Sequence, residues 1–300
     1  MKFNLITILG PTATGKTKLA AEIAYHYNGE IISADSRQVY KGMDIGTGKD
    51  ISDYTINGKQ IPYHLIDIIE PDKDYSVYDF QTQFYEKISQ IKNLRKLPIL
   101  CGGTNLYIHS VLKSYQLGEV NFDSDEFQFL MEQNEDELKD ILLRENENLH
   151  NTTDLNDKIR IAKAIIISRS KSREIIRPKI NSLNICIDLP RNEIKKRITK
   201  RLKERLANGM IDEVKNLIAN KNISYERLAY FGLEYKFIGL YLEGKLNYND
   251  MYQKLNSAIH QFAKKQVTWI RKMEREGLLL HKINGNDFNK AKEIIDAELY

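Results

Sequence analysis

Eight consecutive residues near the start of the chain have the types and spacing of a phosphate-binding loop. Glycines in such a loop let backbone N–H groups approach phosphate oxygens, a lysine supplies positive charge, and a threonine hydroxyl can bind Mg²⁺. The chain has this pattern at Gly10, Pro11, Thr12, Ala13, Thr14, Gly15, Lys16 and Thr17. The pattern predicts a phosphate site with Thr17 as its metal ligand, and it leaves the phosphate compound open.

Two polar stretches follow apolar runs of the kind that form buried strands. Asp35 follows such a run at residues 30–34, and a Gly-Gly-Thr stretch at residues 102–104 follows another at residues 97–101. In open α/β sheets, ligands bind outside the carboxyl ends of the strands, the edge where the phosphate loop also lies. We therefore expect Asp35 to face the phosphate, although a role as a cap of its own loop stays open. The paired glycines allow close approach of a ligand or form a plain turn.

The segments around these residues must form an α/β core to bring them together. Residues 3–9 are predicted as a buried strand before the loop, and residues 17–24 as a helix after it. A capping box of Ser76 and Asp79 predicts a helix with an apolar face of Phe80, Phe84, Ile88 and Ile91. Further strands are predicted at residues 30–34, 63–68, 97–101 and 183–188. We expect an α/β fold with a P-loop type parallel sheet core flanked by helices.

The stretch from residue 113 to residue 181 interrupts this pattern, because it is charged, helix-like and free of predicted strands. We expect a mostly helical insertion at residues 113–181, within a core of residues 1–112 and 182–300. The C-terminal region of this core is predicted to be helical. It includes a long amphipathic helix at about residues 249–276, with an apolar stripe of Tyr252, Leu255, Ile259 and Phe262.

Charge is unevenly distributed, although the formal net charge of the 300 residues is only +4. Residues 121–157 hold twelve Asp or Glu against two Lys or Arg, whereas residues 158–179 hold one against eight. The basic part interleaves apolar and basic residues, so one face can pack while the other meets phosphates or only solvent. A second basic run, residues 191–205, allows either arginines that close over the bound phosphates or a solvated helix face.

Cysteine usage and hydropathy exclude other classes of protein. Cys101 and Cys186 each lie inside an apolar strand-like run, which is typical of reduced core residues and not of a disulfide or zinc framework. No apolar stretch approaches the ~20 residues that span a bilayer, and no signal-peptide pattern precedes the first strand. We expect a cytoplasmic protein that does not bind membranes.

Together these motifs resemble the tRNA dimethylallyltransferase family, whose members are also called tRNA isopentenyltransferases. The resemblance covers nearly the whole chain, and the Asp-Ser-Arg-Gln stretch at residues 35–38 is far more specific than the phosphate loop. The matching residues are 10–17, 33–40, 43–47, 64–67, 75–80, 102–104, Asn156, Asp157, Arg160 and 261–269.

The resemblance implies transfer of a dimethylallyl group from dimethylallyl diphosphate to N6 of the adenosine 3′ of the tRNA anticodon. By position, Asp35 resembles the general base, Thr17 a ligand of Mg²⁺ and diphosphate, and Thr104 a contact where adenine meets the diphosphate. Arg227 is the candidate for the catalytic arginine, and a monomer is expected. The residues implied to contact the anticodon stem-loop are Asp35, Ser36, Arg37, Gln38, Thr104, Ile159, Arg160, Ile161, Ala162, Lys163, Gln261, Lys264 and Lys265.

Three stretches depart from the family pattern. Asn105 stands where a glycine is usual, residues 48–50 read Gly-Lys-Asp in place of Ala-Lys-Pro, and residues 231–236 replace the common Gly-Tyr-Lys-Glu pattern. The phosphate loop and Asp35 are intact, so these departures bear on tRNA choice and rate more than on reaction type.

Three other functions stay open at this point. An adenylate isopentenyltransferase would prenylate free AMP, ADP or ATP with the same loop and base, but it would not require the basic insertion or the lysines of the last long helix. A small-molecule kinase is supported only by the loop and the sheet. A non-catalytic RNA-binding protein would not need Lys16, Thr17 and Asp35 together.

Overall fold

The computed structural model describes residues 2–117, 124–145, 158–169 and 177–299. The chain divides into two compact units, one formed by Met1–Ser114 with Lys179–Tyr300 and the other by Tyr115–Pro178. The first, here called the core unit, contains the sheet and the phosphate loop. The second, here called the insertion unit, contains three helices among its described residues.

Six parallel strands form the sheet of the core unit, and two short strands form a separate antiparallel ribbon. In chain order the strands are β1 (Leu5–Leu9), β2 (Gly29–Ser33), β3 (Thr55–Ile56), β4 (Lys59–Gln60), β5 (Tyr63–His64), β6 (Leu97–Cys101), β7 (Ser182–Asp188) and β8 (His281–Asn284). The sheet order is β5-β2-β6-β1-β7-β8, and β3 pairs with β4. Because β2, β6 and β1 are neighbours and parallel, the loops that follow them leave one edge of the sheet side by side.

Helices fill most of the remaining described chain. In chain order they are α1 (Lys16–His26), α2 (Val77–Asn93), α3 (Asn105–Leu112), α4 (Asp125–Glu132), α5 (Glu135–Glu145), α6 (Lys158–Arg169), α7 (Arg191–Ala207), α8 (Met210–Lys221), α9 (Tyr225–Tyr230), α10 (Leu233–Leu242), α11 (Tyr248–Arg275) and α12 (Phe288–Leu299). A short 3-10 helix covers Ile51–Tyr54. Within the described residues, no helix is long and apolar enough to cross a lipid bilayer.

The sheet is buried on both faces. Successive residues of a strand point to opposite faces, and β1 follows this rule. Leu5 and Leu9 pack in an apolar cluster with residues of α2, α3, α7, α8 and α11. Ile6 and Ile8 pack in a second cluster with residues of α1 and α12. Since helices cover both faces, as is usual for parallel sheets, a ligand must bind at the strand ends.

The insertion unit has a small apolar core of its own, to which α4, α5 and α6 each contribute. Its buried residues include Leu130, Leu138, Leu142, Ile161 and Ile165. Arg169 at the end of α6 pairs with Glu126 at 2.9 Å and with Glu145 at 2.6 Å. The acidic and basic parts of this stretch therefore neutralise each other in part.

The predicted fold class is confirmed, and several elements lie where the sequence predicts them. β6 spans the predicted residues 97–101. The capping box at the start of α2 forms, with Ser76 and Asp79 each accepting a hydrogen bond from the other's backbone N–H. The predicted strand at residues 63–68 is too long, because Leu65 and Asp67 adopt left-handed φ angles of +63° and +54° that end the extended chain at His64.

The C-terminal region differs more from its prediction. Beyond the predicted long helix lie β8, which adds a parallel strand beside β7, and α12. The predicted apolar stripe of α11 is correct at Leu255 and Ile259, but Phe262 is 45% exposed. The buried stripe runs instead through Met251, Leu255, Ile259, Ala263, Gln266, Ile270 and Met273.

Candidate active site

The phosphate loop joins β1 to α1 and wraps around the ammonium group of Lys16. Lys16 Nζ and Thr14 Oγ1 both donate hydrogen bonds to the carbonyl oxygen of Pro11, at 2.8 and 2.9 Å. At Gly10 a Cβ atom would lie 2.8 Å from the carbonyl oxygen of Ile187, so glycine lets the loop pass this close to β7. The loop brings one cation to the amino terminus of α1, where the free N–H groups of a helix favour an anion.

The charge of Lys16 depends on what the loop contains. Burial is the main cause that lowers the pKa of Lys16 to about 8, and the Arg201 guanidinium acts in the same direction. Cys101 and Asp35 act in the opposite direction. A phosphate in the loop would place negative charge beside the ammonium and favour its protonated form. A half-buried lysine close to an arginine is therefore suited to an anionic ligand.

The ends of β2 and β6 are joined beyond the last residues of the strands. Ala34 N donates to Cys101 O at 2.8 Å, and Thr104 N donates to Ala34 O at 3.0 Å. A Cβ atom on Gly102 would lie 2.2 Å from Ala34 O, so this approach requires glycine. The backbone thus holds Asp35 beside the Gly-Gly-Thr turn at residues 102–104.

The half-buried Asp35 carboxylate uses one oxygen within its own loop. Oδ1 accepts a hydrogen bond from Arg37 N at 2.9 Å, so Asp35 does cap this loop. Oδ2 lies beside Gly103, 3.6 Å from the position that a Cβ would take there. The carboxylate also raises the pKa of Lys16, which indicates that it lies within electrostatic range of the phosphate loop. Asp35 therefore caps its loop with one oxygen and adjoins the glycine turn with the other.

The Thr104 hydroxyl is held by the loop that carries Asp35. Thr104 Oγ1 accepts from Ser36 N at 2.9 Å and donates to Ser36 Oγ at 3.2 Å. The structure therefore brings Asp35, Ser36 and Thr104 together at the carboxyl ends of β2 and β6. The candidate base and the candidate adenine contact lie on neighbouring, cross-linked loops.

Helix α7 presents the basic run at residues 191–205 on two faces, one toward the phosphate loop and one toward solvent. Arg201 Nη2 donates to Thr12 Oγ1 at 2.5 Å, and Arg205 lies over Gly48 and pairs with Asp50 at 3.4 Å. Burial and the neighbouring Arg205 lower the pKa of Arg201 to about 10. The opposite face is solvated and carries Lys195, Lys196, Lys200 and Lys203.

Arg227, the sequence candidate for the catalytic arginine, is engaged elsewhere. Its guanidinium donates to the carbonyl oxygens of Pro71 and Lys73 and to the carboxylate of Asp74. Its Cζ lies 4.5 Å from the ring centroid of Tyr230. The arginine that contacts the phosphate loop is Arg201. Spacing alone does not separate Arg201 from the lysines of the same helix, because Lys196 and Lys200 are also four residues apart.

The residues implied to contact RNA differ in their accessibility. Gln261, Lys264 and Lys265 are exposed on α11, and Ile159 and Arg160 are exposed on α6, where Lys163 is half-buried. Ile161 and Ala162 are fully buried in the insertion core, so their side chains offer no surface to RNA, and this part of the assignment needs correction. Asn156 and Asp157 lie outside the described residues.

Arg37 and Gln38 have partners within the protein. The Arg37 guanidinium lies 5.0 Å from the ring centroid of Tyr230. Gln38 Nε2 donates to Gly48 O at 3.0 Å, and Gln38 Oε1 accepts from Ser33 Oγ at 3.1 Å. Gln38 therefore links its loop to the segment at residues 43–50, in addition to any contact with RNA.

The segment at residues 43–50, which includes one departure from the family pattern, is anchored by the half-buried Glu213 and the buried Lys49. The backbone N–H groups of residues 44–46 all donate to the Glu213 carboxylate at 2.6 to 3.0 Å. Lys49 is buried and donates to the carbonyl oxygen of Tyr40 and to the carboxylates of Asp44 and Asp67. A buried charge such as that of Lys49 is costly unless it is paired, so these contacts favour the observed conformation of the segment.

Gln266 is a site residue whose role sequence reasoning missed. It lies in the stretch at residues 261–266 that the resemblance relates to RNA, yet it is only 4% exposed. Its side chain contacts both the phosphate loop and the glycine turn, and its carbonyl oxygen accepts from Asn105 Nδ2 at 3.2 Å. The buried i, i+4 stripe of α11 was the signal that could have found it.

The fold and the site define a phosphate-loop α/β protein. The Asp35 carboxylate and Thr104 lie at the same edge of its sheet as the phosphate loop. Comparison with known proteins narrows this class. Residues 38–273 match the family model described as IPP transferase, and residues 3–61 match the model described as isopentenyl transferase. The chain belongs to the tRNA dimethylallyltransferase family.

Similar sequences and structures extend over the whole chain. tRNA dimethylallyltransferase 1 of Syntrophus aciditrophicus is 45% identical to this chain, and the alignment covers 100% of this chain and 99% of that protein. tRNA dimethylallyltransferase 1 of Azobacteroides pseudotrichonymphae is 49% identical, and the alignment covers 98% of this chain and 97% of that protein. The tRNA isopentenylpyrophosphate transferase of Bacillus halodurans is a solved structure with 29% identity, TM-score 0.69 and coverage of 99% and 94%. The structure of a eukaryotic dimethylallyltransferase acting on tRNA is similar in fold, with a TM-score of 0.73 at 21% identity. The match covers 98% of this chain and 77% of that one.

Proposed function

We propose that this protein transfers the dimethylallyl group of dimethylallyl diphosphate to N6 of the adenosine 3′ of the anticodon in tRNA. The N6 lone pair forms a bond to the allylic carbon, the carbon–oxygen bond breaks with its electron pair on diphosphate, and N6 loses one proton. The observation that carries the proposal is the convergence of Asp35 and Thr104 beside a phosphate loop in a member of this family.

Asp35 is the group that accepts the N6 proton in this proposal. An adenine amine is a poor nucleophile because its lone pair is delocalised into the ring, so proton removal must accompany attack. A carboxylate positioned within hydrogen-bond reach of N6 can act as general base. The loop N–H that binds Oδ1 fixes the Asp35 side chain and leaves Oδ2 as the candidate proton acceptor.

The phosphate loop and Arg201 bind the diphosphate and stabilise its charge as it departs. Lys16 and Arg201 place two cations around the loop, and the Arg201 contact with Thr12 puts the guanidinium at its rim. Groups that are already oriented toward developing negative charge lower the barrier most, since they need no reorganisation. Arg201, rather than Arg227, is the proposed clamp on the diphosphate.

Mg²⁺ fits this site as a partner of the diphosphate and not as a caged ion. Within the described part of the chain, no group of three His, Cys, Asp or Glu could hold a metal, whereas Thr17 lies in the first turn of α1, directly after Lys16. Mg²⁺ commonly keeps its waters and binds few protein oxygens together with substrate phosphates. We propose the Thr17 hydroxyl as its protein ligand, and when bound the ion would neutralise charge on the diphosphate.

We further propose that RNA docks through positive charge outside this site. The candidates are Arg160 and Lys163 on α6 of the insertion unit, and Gln261, Lys264 and Lys265 on α11. The target adenosine must leave its stack to reach the sheet edge, which is cheaper in an unpaired loop than in a duplex. We propose a cytoplasmic monomer for which an anticodon stem-loop suffices as substrate.

One experiment separates this function from the alternatives. Purified protein is incubated with Mg²⁺, dimethylallyl diphosphate and either tRNA, an anticodon stem-loop or AMP, and the nucleosides are analysed by mass spectrometry. Prenylation of the adenosine 3′ of the anticodon, in tRNA and stem-loop alike, is expected. Product on AMP alone would indicate an adenylate isopentenyltransferase. The similar proteins named above are tRNA dimethylallyltransferases, so they do not favour this alternative. Phosphoryl transfer from ATP without prenylation would indicate a kinase.

A further inference from the structure

Gln266 makes contacts that no role in RNA binding explains. It lies on the buried face of α11, where its neighbours at i−3 and i+4, Ala263 and Ile270, are apolar. Its Oε1 accepts a hydrogen bond from Thr12 N in the phosphate loop at 2.8 Å. Its Nε2 donates to Gly103 O in the glycine turn at 2.9 Å. One amide group therefore joins the loop after β1 to the loop after β6.

The chemistry of these partners explains why this position holds glutamine. Thr12 N can only donate and Gly103 O can only accept, so the joining group needs an acceptor and a donor at one end of one side chain. Methionine has similar size but offers neither, and a glutamate carboxylate offers acceptors alone. Both contacts are partly buried, and loss of a partner there is disfavoured, so both loops are biased toward the separation that satisfies Gln266.

The two loops joined by Gln266 carry opposite sides of the reaction. The phosphate loop holds the leaving group, while the turn leads directly into Thr104, whose hydroxyl is bonded to Ser36 next to Asp35. We propose that Gln266 is a positioning residue that keeps the diphosphate cradle and the acceptor-side loops at the separation required for transfer. This inference rests on the proposed function of the site.

The test compares Gln266→Met with the same change at Gln253, an exposed glutamine of the same helix. Displacement of reacting groups by about 1 Å can lower a rate ~10²-fold. Gln266→Met should therefore lower the single-turnover rate by ~10 to 10²-fold at saturating substrates, while the Kd values for dimethylallyl diphosphate and tRNA change by less than about threefold. Gln253→Met should react like wild type. A Gln266→Met rate within threefold of wild type would overturn the proposal.

A second measurement asks whether Gln266 acts through the turn. If it does, Gln266→Met should lower the rate much less in a Thr104→Ala background than in the wild type, because effects on one positioned unit are not additive. If the double variant loses rate by the product of the two single losses, the proposal is overturned.

Gln266→Glu retains the bond to Thr12 N and replaces only the donor to Gly103, so it serves as the second variant if Gln266→Met is unfolded at the assay temperature. It should also lose rate, and wild-type turnover by it would contradict the proposal.

A readout that needs no activity separates this inference from the proposed function. The Thr12 amide should be protected from hydrogen exchange in the wild type and in Gln253→Met, and should lose protection by ~10-fold or more in Gln266→Met. If the wild-type protein does not prenylate tRNA but this pattern holds, the proposed function fails and the link between the loops stands. Equal protection of the Thr12 amide in all three proteins would remove Gln266 as the link.

Discussion

The sheet edge of the core unit and the basic helix of the insertion unit reach their proposed substrates by different physical means. At the sheet edge, single residues are fixed by hydrogen bonds from separate elements: Arg201 of α7 bonds the hydroxyl of Thr12, and Gln266 of α11 bonds its backbone N–H. In the insertion unit, α6 packs on a small apolar cluster and exposes charge such as Arg160. Bond making depends on displacements of about 1 Å, whereas attraction between charges acts over a Debye length of ~8 to 10 Å. Variants at the edge should therefore affect rate, and variants on α6 should affect affinity.

The largest effect on rate is expected from Asp35→Asn. The amide keeps the shape of the side chain and can still accept from Arg37 N, but it cannot accept the N6 proton. General-base contributions are typically ~10² to 10⁴-fold, and the single-turnover rate should fall by about this factor while both substrates still bind. The measurement is single-turnover transfer at saturating tRNA and dimethylallyl diphosphate. A loss of less than about threefold would reduce Asp35 to a positioning residue.

A somewhat smaller loss is expected from Lys16→Ala. The Lys16 ammonium is one of two cations at the phosphate loop, and removing one group that stabilises developing charge costs ~10² to 10³-fold in rate. Transfer measured against Mg²⁺ concentration gives the check. Wild-type turnover by Lys16→Ala at saturating substrate would show that the loop does not hold the diphosphate, and turnover that is independent of Mg²⁺ would exclude Thr17 as a metal ligand.

The comparison of Arg201→Ala with Arg227→Ala sharpens the contrast within the core unit. Arg201 contacts the phosphate loop, so its loss should lower the transfer rate by ~10 to 10²-fold. Arg227 binds residues 71–74, so its loss should mainly lower the midpoint of thermal unfolding. Single-turnover rates and thermal melts of the two variants give the answer. A larger rate loss in Arg227→Ala than in Arg201→Ala would restore Arg227 as the catalytic arginine.

Sequence could predict the site where local spacing carries the chemistry. The phosphate loop, the strand ends at Asp35 and at residues 102–104, and the capping box of α2 each depend on neighbours within a few residues. Fold class follows from the same local patterns, because alternating buried strands and helices favour a parallel sheet.

Sequence could not predict the contacts that join distant segments. Glu213 binds residues 44–46 across more than 160 positions of the chain, and Gln266 binds Thr12 across 254. The stripe of α11 indicates that Gln266 is buried but not what it binds, and no periodic pattern marks the Glu213 contacts. A short strand at the edge of a sheet needs only one buried residue, here Ile283, so the sequence pattern does not predict β8. For the same reason the sequence does not show which arginine contacts the phosphate loop, because only the packed helices bring Arg201 to Thr12 and Arg227 to residues 71–74.

The smallest effect is expected on α6, where Arg160→Glu with Lys163→Glu should weaken tRNA binding without changing the rate of bound substrate. Each phosphate contact that is lost removes counterion release, so the slope of log affinity against log salt should fall by about 1 to 2 for two contacts. Affinity at ~0.1 M salt should fall by roughly tenfold, because several other contacts remain.

The control reverses two exposed lysines of the core unit, Lys236→Glu with Lys254→Glu, which changes the net charge equally. If both double variants lose the same affinity and the same slope, general electrostatic attraction is responsible and α6 is not part of the interface. A loss confined to the α6 variant, with unchanged binding of dimethylallyl diphosphate and unchanged single-turnover rate at saturating tRNA, would place recognition in the insertion unit and chemistry at the sheet edge.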